Sequence, residues 1–284
     1  MTFDELTKIN YLFDSHAHIN DCSFDDDREE IIQKAFSKNV RYIFDVGIDL
    51  KSSQKAIEIS KKFYPNVLAF VGIDPEVFIP GSSLFSKSYD EKFIDKEILK
   101  LYTLFKENKN YIVGIGETGL DFYWLNKKMR EKEITQNEIE ISIKLQKRLF
   151  QKNIDLAKEF NLVLTVHSRE AEKETFETIK NSKASAIFHS YTGDYNIAKK
   201  ILDIGCGLGV NGIITFKNAT KLREVYKKIL GKVTYDWGYC DFYKKGVFFE
   251  TDCPFLSPSP NRGSKNSPEN ISSIYEYFIN FLSE

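Results

Sequence analysis

FDSHAHIND, residues 13–21, closes the first apolar run of the chain with two histidines instead of a glycine-rich turn. An open doubly wound α/β sheet normally carries a phosphate-binding glycine loop after its first strand. Its absence here turns the reading toward a different parallel architecture. Seven further β-branched and aromatic runs follow: RYIFDVG (41–47), NVLAFVGI (66–73), YIVGIG (111–116), LVLTVH (162–167), ASAIFHS (184–190), CGLGVNG (206–212) and GVFFETD (246–252). Between them lie amphipathic stretches such as DREEIIQKAFSK, QKAIEISKKF, QKRLFQKNIDLAKEF and NIAKKILDIG, with apolar residues three and four apart. Eight strand–helix units in one chain of 284 residues predict an α/β fold, a (β/α)8 TIM barrel, as a single domain over residues 1–284. The departures from the alternation lie at 81–92, 121–138, 235–245 and the Ser/Pro/Asn-rich 256–270, and the first three are expected to be loops of that barrel.

Composition narrows the class. Hydrophobic residues make up 42% and charged residues 29%, and no apolar run approaches the length of a membrane span. The first residues, MTFDELTKINYLFD, lack a basic segment followed by an apolar one, so a cytoplasmic protein is expected. Cys22, Cys206, Cys240 and Cys253 form no C-x-x-C pair and read as reduced thiols. A net charge of −1 excludes the globally basic footprint of a duplex-DNA binder and leaves room only for a local basic patch.

The chain has only four histidines, and each falls at the end of an expected strand: His16 and His18 on the first, His167 on the fifth, His189 on the sixth. Barrel enzymes build their sites at those carboxyl ends. Residues i and i+2 of a strand share a face, so His16 and His18 can serve one ion. Glu117, after the fourth strand, and Asp252, ending the eighth, interrupt apolar runs and complete a set of imidazole and carboxylate ligands without thiolate. Such a set suits two catalytic divalent ions, with Zn, Mn, Mg, Fe, Co and Ni all admissible. The expected partition gives His16, His18 and Asp252 to one ion and His167 and His189 to the other, with Glu117 bridging. Two such ions acidify a water into the nucleophile, which makes the site a hydrolase. Asp14, Asp21 and Asp121 are expected to orient ligands or cap helices. Arg169 is a candidate clamp for an anionic substrate, with a salt bridge to Glu170 or Glu172 as the alternative. Cys253 has no histidine left to activate it and reads as inert. Tyr123, in FYWLNKKMREK (122–132), stands among aromatics and Lys127, Lys128, Arg130 and Lys132, a composition suited to stacking single-stranded nucleic acid or, as the alternative, to covering the barrel mouth.

Taken in order, FDSHAHIND, GIGETGLDFYW, LTVHSRE, IFHSYTGD, ETDCPFLSP and NRGSKNSPEN resemble the signature blocks of the TatD family of metal-dependent deoxyribonucleases, within the amidohydrolase superfamily. The resemblance spans nearly the whole chain. It implies a barrel with a binuclear site ligated by His16, His18, Glu117, His167, His189 and Asp252, with Asp252 also handling the proton of the attacking water. It further implies single-stranded DNA or DNA ends as substrate, digested from the 3′ end. Two departures stand out: GIDPE places Asp74 and Glu76 where the family commonly has two histidines, and the connection at 235–245 is unusually aromatic. Asp74 is thereby a candidate for substrate contact, and a substrate other than DNA becomes open. Hydrolysis of another ester or amide, including an aminoacyl-tRNA ester, and metal binding without catalysis are the alternatives.

Overall fold

A computed structural model describes residues 11–230 and 246–283. Residues 1–10, Cys240 and the aromatic segment 235–245 lie outside the described residues. The first half of the chain runs β1 (Leu12–Ala17), α1 (Arg28–Ser37), β2 (Val40–Val46), α2 (Leu50–Phe63), β3 (Val67–Val71), α3 (Glu91–Asn108), β4 (Ile112–Asp121), α4 (Tyr123–Arg130) and α5 (Gln136–Phe160). The second half continues with β5 (Val163–Arg169), α6 (Glu172–Ser182), β6 (Ala186–Phe188), α7 (Tyr195–Asp203), β7 (Gly207–Val210), α8 (Thr220–Leu230), β8 (Gly246–Phe249) and α9 (Ile271–Ser283). Each of the eight apolar runs overlaps a strand. The strands belong to one sheet in chain order, the strand order of a (β/α)8 barrel.

Two compact units make up the chain, one within residues 1–45, 59–68 and 187–284, the other within 46–58 and 69–186. In the first, β1 pairs in parallel with β2, and β7 with both β6 and β8. Its apolar centre is aromatic: Phe278 of α9 meets Tyr226 at 5.6 Å and Phe249 at 5.1 Å, both edge to face. Rings with their quadrupoles in that arrangement add to the burial of their large apolar surfaces.

The second unit is built around β4, which pairs in parallel with β3 and β5. The sequence reading ended this strand at Gly116; it runs to Asp121, so Glu117 lies within the strand and not after it. Glycine hides the continuation, because Gly116 and Gly119 weaken a strand pattern while meeting a steric demand. Gly119 has φ +139° beside His167, and a Cβ there would come 2.0 Å from the His167 carbonyl oxygen. Helix α5 fixes β4 from behind through buried polar groups. The Asp121 N–H donates to Gln146 Oε1 (3.0 Å), and Asn153 Nδ2 donates to Thr118 Oγ1 (2.9 Å).

The stretch 121–138 differs from the expected loop, since it contains α4 and the start of α5. Asp121 Oδ1 accepts the Trp124 N–H (3.0 Å) at the first turn of α4. Leu125 then packs with Ile79, Ile134 and Ile139. A capping box, in which Thr135 accepts the Glu138 N–H and Glu138 accepts the Thr135 N–H, begins α5. An aromatic and lysine-rich composition conceals a helix whose buried stripe is this short.

Candidate active site

In the first unit, the ends of β1, β6 and β8 carry His16, His18, His189 and Asp252. The alternation of β1 places His16 Nε2 and His18 Nε2 3.2 Å apart. Asp252 Oδ1 lies 3.4 Å from His18 Nε2 and 3.8 Å from His16 Nε2. The His189 ring stacks on that of His16 with centroids 3.9 Å apart. Backbone bonds hold these ends together, from the Asp252 N–H to the His16 carbonyl and from the His18 N–H to the Cys253 carbonyl, both 2.8 Å. Burial pushes the Asp252 carboxyl up, but the hydrogen bond with His18 and the fields of His189, His16 and His18 overcome it, leaving the group below the usual carboxylate range. Asp252 is therefore an anion at neutral pH.

Buried acids support this cluster. Asp14 accepts from Thr251 N (2.9 Å), Thr251 Oγ1 (2.5 Å) and His16 N (3.3 Å). Burial pushes its carboxyl up to about 8, against these hydrogen bonds. Glu250, wholly buried, accepts the Ser190 N–H (2.5 Å) and has Oε1 3.7 Å from His189 Nδ1. Cys253 is buried, and burial holds its thiol well above the ordinary range, which fits the inert reading. Cys22 and Cys253 are free thiols.

Asp45 gives a testable pH dependence. Its Oδ1 accepts Asn20 N (3.1 Å) and Asn20 Nδ2 (2.6 Å), while Oδ2 is buried without a hydrogen-bond partner. Burial, opposed by those bonds, pushes the carboxyl from 3.8 up to about 6. A raised folded pKa means that the folded state holds the proton more tightly, so the contribution is complete below pH 4 and is lost as pH rises through 6. Asp45→Asn should therefore gain on the wild type between pH 4 and 6, by about 2–3 kcal/mol, and hold that gain above it. Urea unfolding of both proteins in chelator across this range measures the difference. A difference independent of pH would show that Asp45 does not carry the effect.

In the second unit, Glu117 of β4 and His167 of β5 meet through Glu117 Oε1 and His167 Nδ1 at 3.0 Å. The other ring nitrogen, Nε2, lies 3.0 Å from Asp121 Oδ2. Asp121 thus orients the ring from one side while Nδ1 faces Glu117, the arrangement by which a carboxylate orients a ligating histidine. Burial opposes charge on His167, yet the hydrogen bonds with Asp121 and Glu117 raise its pKa well above the ordinary value. Asp74 joins this group: one of its oxygens, one of Glu117 and a nitrogen of His167 lie within 4.8 Å of one another. Burial and the charge of Glu117 push Asp74 well above the usual range.

Both clusters fit a divalent ion. His16, His18 and Asp252 offer three ligand atoms within 4.8 Å, as do Asp74, Glu117 and His167. In the second cluster, buried carboxylates outnumber the one imidazole, and a cation placed among them removes the cost of crowding that charge.

Beyond His167, the Arg169 guanidinium sits 3.9 Å from the centre of the Tyr123 ring and 5.4 Å from that of Trp124. Lys127 Nζ covers Trp124 at 4.8 Å. Glu170 instead accepts from Asn126 Nδ2 (3.0 Å). Asp21 accepts the Ser23 N–H (2.8 Å) and caps a turn. Two contributors escaped the sequence reading, Glu250 behind His189 and Asp45 on Asn20, while Asp74, a candidate for substrate contact, lies beside Glu117 and His167. For Glu250 the signal was present, since FFETD sets it two residues before Asp252 in an otherwise apolar strand end.

Histidines and acids at the carboxyl ends of parallel strands, gathered into groups able to hold divalent ions, define a metal-dependent hydrolase of the α/β barrel class. The model of the family described as TatD related DNase matches residues 13–284, and the chain belongs to that family. YabD, a metal-dependent hydrolase of Bacillus subtilis (strain 168), is 31% identical over 93% of this chain and 89% of its own length. In solved structures, the fold is like that of YJJV, a TatD homolog from Escherichia coli k12, with a TM-score of 0.75, 20% identity and coverage of 95% of this chain and 90% of the other. A hydrolase TatD family protein from Entamoeba histolytica matches with a TM-score of 0.67 and 18% identity, over 96% of this chain and 94% of that one. Among the described residues, no helix is long and apolar enough to cross a membrane.

Proposed function

We propose that this metal-dependent hydrolase is a deoxyribonuclease, acting in the cytoplasm on single-stranded DNA or DNA ends from the 3′ side. The observation that carries the reading is the Arg169 guanidinium stacked 3.9 Å over Tyr123, two residues past His167 on β5, with Trp124 and Lys127 beside it. A cation layered on aromatic rings suits a nucleotide, whose base stacks and whose phosphate is anionic. The description of the matching family supports the same substrate class.

Two ions are proposed, one held by His16, His18 and Asp252 with His189 against His16, the other by Glu117 and His167. When bound, divalent ions supply Lewis acidity and an acidified water. Asp252, kept anionic by the imidazoles around it, accepts the proton of the attacking water and returns it to the leaving oxygen. His167 is oriented by Asp121. Arg169 binds the phosphate of the chain being cut, and Tyr123 carries a base.

End-labelled single-stranded DNA incubated with purified protein and Mg or Mn, beside a chelator control, tests the reading: a metal-dependent ladder shortening from the 3′ end is expected. The acidic pair Asp74 and Glu76 favours, as a second reading, attack on a carbonyl ester or amide, which lacks the charge of a phosphodiester. Intact DNA together with turnover of such esters would replace the first reading by the second. Tyr123→Ala should weaken single-stranded DNA binding about tenfold, the scale of one lost stacking partner. Fluorescence anisotropy with a labelled oligonucleotide measures it, and unchanged affinity would return Tyr123 to a covering role.

A further inference from the structure

We infer that Asp74 is itself a metal ligand, so that the second unit holds its ion through Asp74, Glu117 and His167 and favours a hard cation of the Mn or Mg class. The inference rests on the metal dependence of the family and deepens it at a position where this chain departs from the resemblance.

Three observations converge. Asp74 is 5% exposed, and one of its carboxylate oxygens lies within 4.8 Å of a Glu117 oxygen and a His167 nitrogen. Its backbone is fixed by an N–H bond to the Ile48 carbonyl (2.9 Å), and its Oδ1 accepts the Glu76 N–H (2.7 Å) at the start of the turn Pro75–Phe78. That cap alone does not account for the residue. Serine or asparagine caps a helical turn as well as aspartate does, without placing a second buried acid against Glu117. A cation held in common removes that repulsion and gives the acid its reason to be there.

The chemistry of the donors sets the metal class. The first unit offers two imidazoles and one carboxylate, His16, His18 and Asp252, and the second two carboxylates and one imidazole. Carboxylate oxygen suits Mn and Mg, whereas imidazole suits Zn. An acid at position 74 therefore biases the donor set of the second unit toward harder ions.

The test is metal binding at pH 7.5, independent of any substrate. Purified wild type, Asp74→Asn and Asp74→His are titrated with Mn, followed by electron paramagnetic resonance, and then competed with Zn. Circular dichroism checks that each is folded. Wild type should bind two Mn ions; Asp74→Asn should bind one of them at least tenfold more weakly, the scale on which lost metal-site contacts are felt. Asp74→His, which keeps a ligand and follows the family pattern, should restore occupancy while raising the preference for Zn over Mn. Two Mn ions bound equally by wild type and Asp74→Asn, with an unchanged Zn preference in Asp74→His, would overturn the inference and leave the hydrolase reading standing. A single ion in the wild type, lost in His16→Ala, would overturn it together with the proposal of two ions.

Discussion

Asp252→Asn should lower hydrolysis by about 10²–10⁴-fold, the contribution of a positioned acid or base. The substitution keeps the shape of the side chain and the backbone bond from residue 252 to the His16 carbonyl (2.8 Å). It removes the negative charge that His16, His18 and His189 hold below the usual carboxylate range. An amide cannot accept the proton of water, and it binds a divalent ion less strongly than a carboxylate does. Initial rates on end-labelled DNA, with metal content measured on the same samples, separate the two losses. Slow turnover at full metal occupancy assigns Asp252 to proton handling. Slow turnover with metal lost assigns it to ligation, and wild-type rates would remove it from the chemistry.

Glu117→Ala should lower metal affinity by about 100-fold or more and reduce turnover with it. Glu117 faces His167 Nδ1 at 3.0 Å and shares a ligand group with Asp74 and His167. Without it, the remaining pair offers one carboxylate and one imidazole. The metal-free protein should tolerate the change, because Glu117 is a main source of the repulsion on Asp74. The thermal readout follows from linkage: wild type should gain Tm on adding Mn, and Glu117→Ala should gain less at the same concentration. An equal gain, with full metal content, would show that Glu117 is not a ligand.

The consequence for specificity lies in how the two units differ. The histidine-rich cluster of the first unit and the carboxylate-rich cluster of the second present different donor sets to the same pool of ions. Rates measured separately in Mn, Mg and Zn are therefore expected to differ.

Much of this was legible without coordinates because it depends on local pattern. β-Branched and aromatic runs marked all eight strands, and apolar spacing of three and four marked α1, α2, α5 and α7. Strand ends drew attention to His16, His18, His167, His189 and Asp252 because an ionisable residue in an apolar run is costly and needs a reason. What the pattern could not carry was any feature resting on steric fit or on partners distant in sequence. The extension of β4 to Asp121 depends on Gly119 passing the His167 carbonyl, and helix α4 depends on Leu125 reaching Ile79, Ile134 and Ile139.

The amino-acid sequence by itself determined the α/β class, the strand count, the identity of the ionisable residues at strand ends and the family, since each is written in spacing and residue type. The tertiary structure decided which of those residues act together. It set Asp121 on His167, Glu250 behind His189, Arg169 over Tyr123 and Asp74 beside Glu117. The physical reason is that a buried charge takes its properties from the groups within a few ångströms of it, and those neighbours are chosen by packing, not by order along the chain.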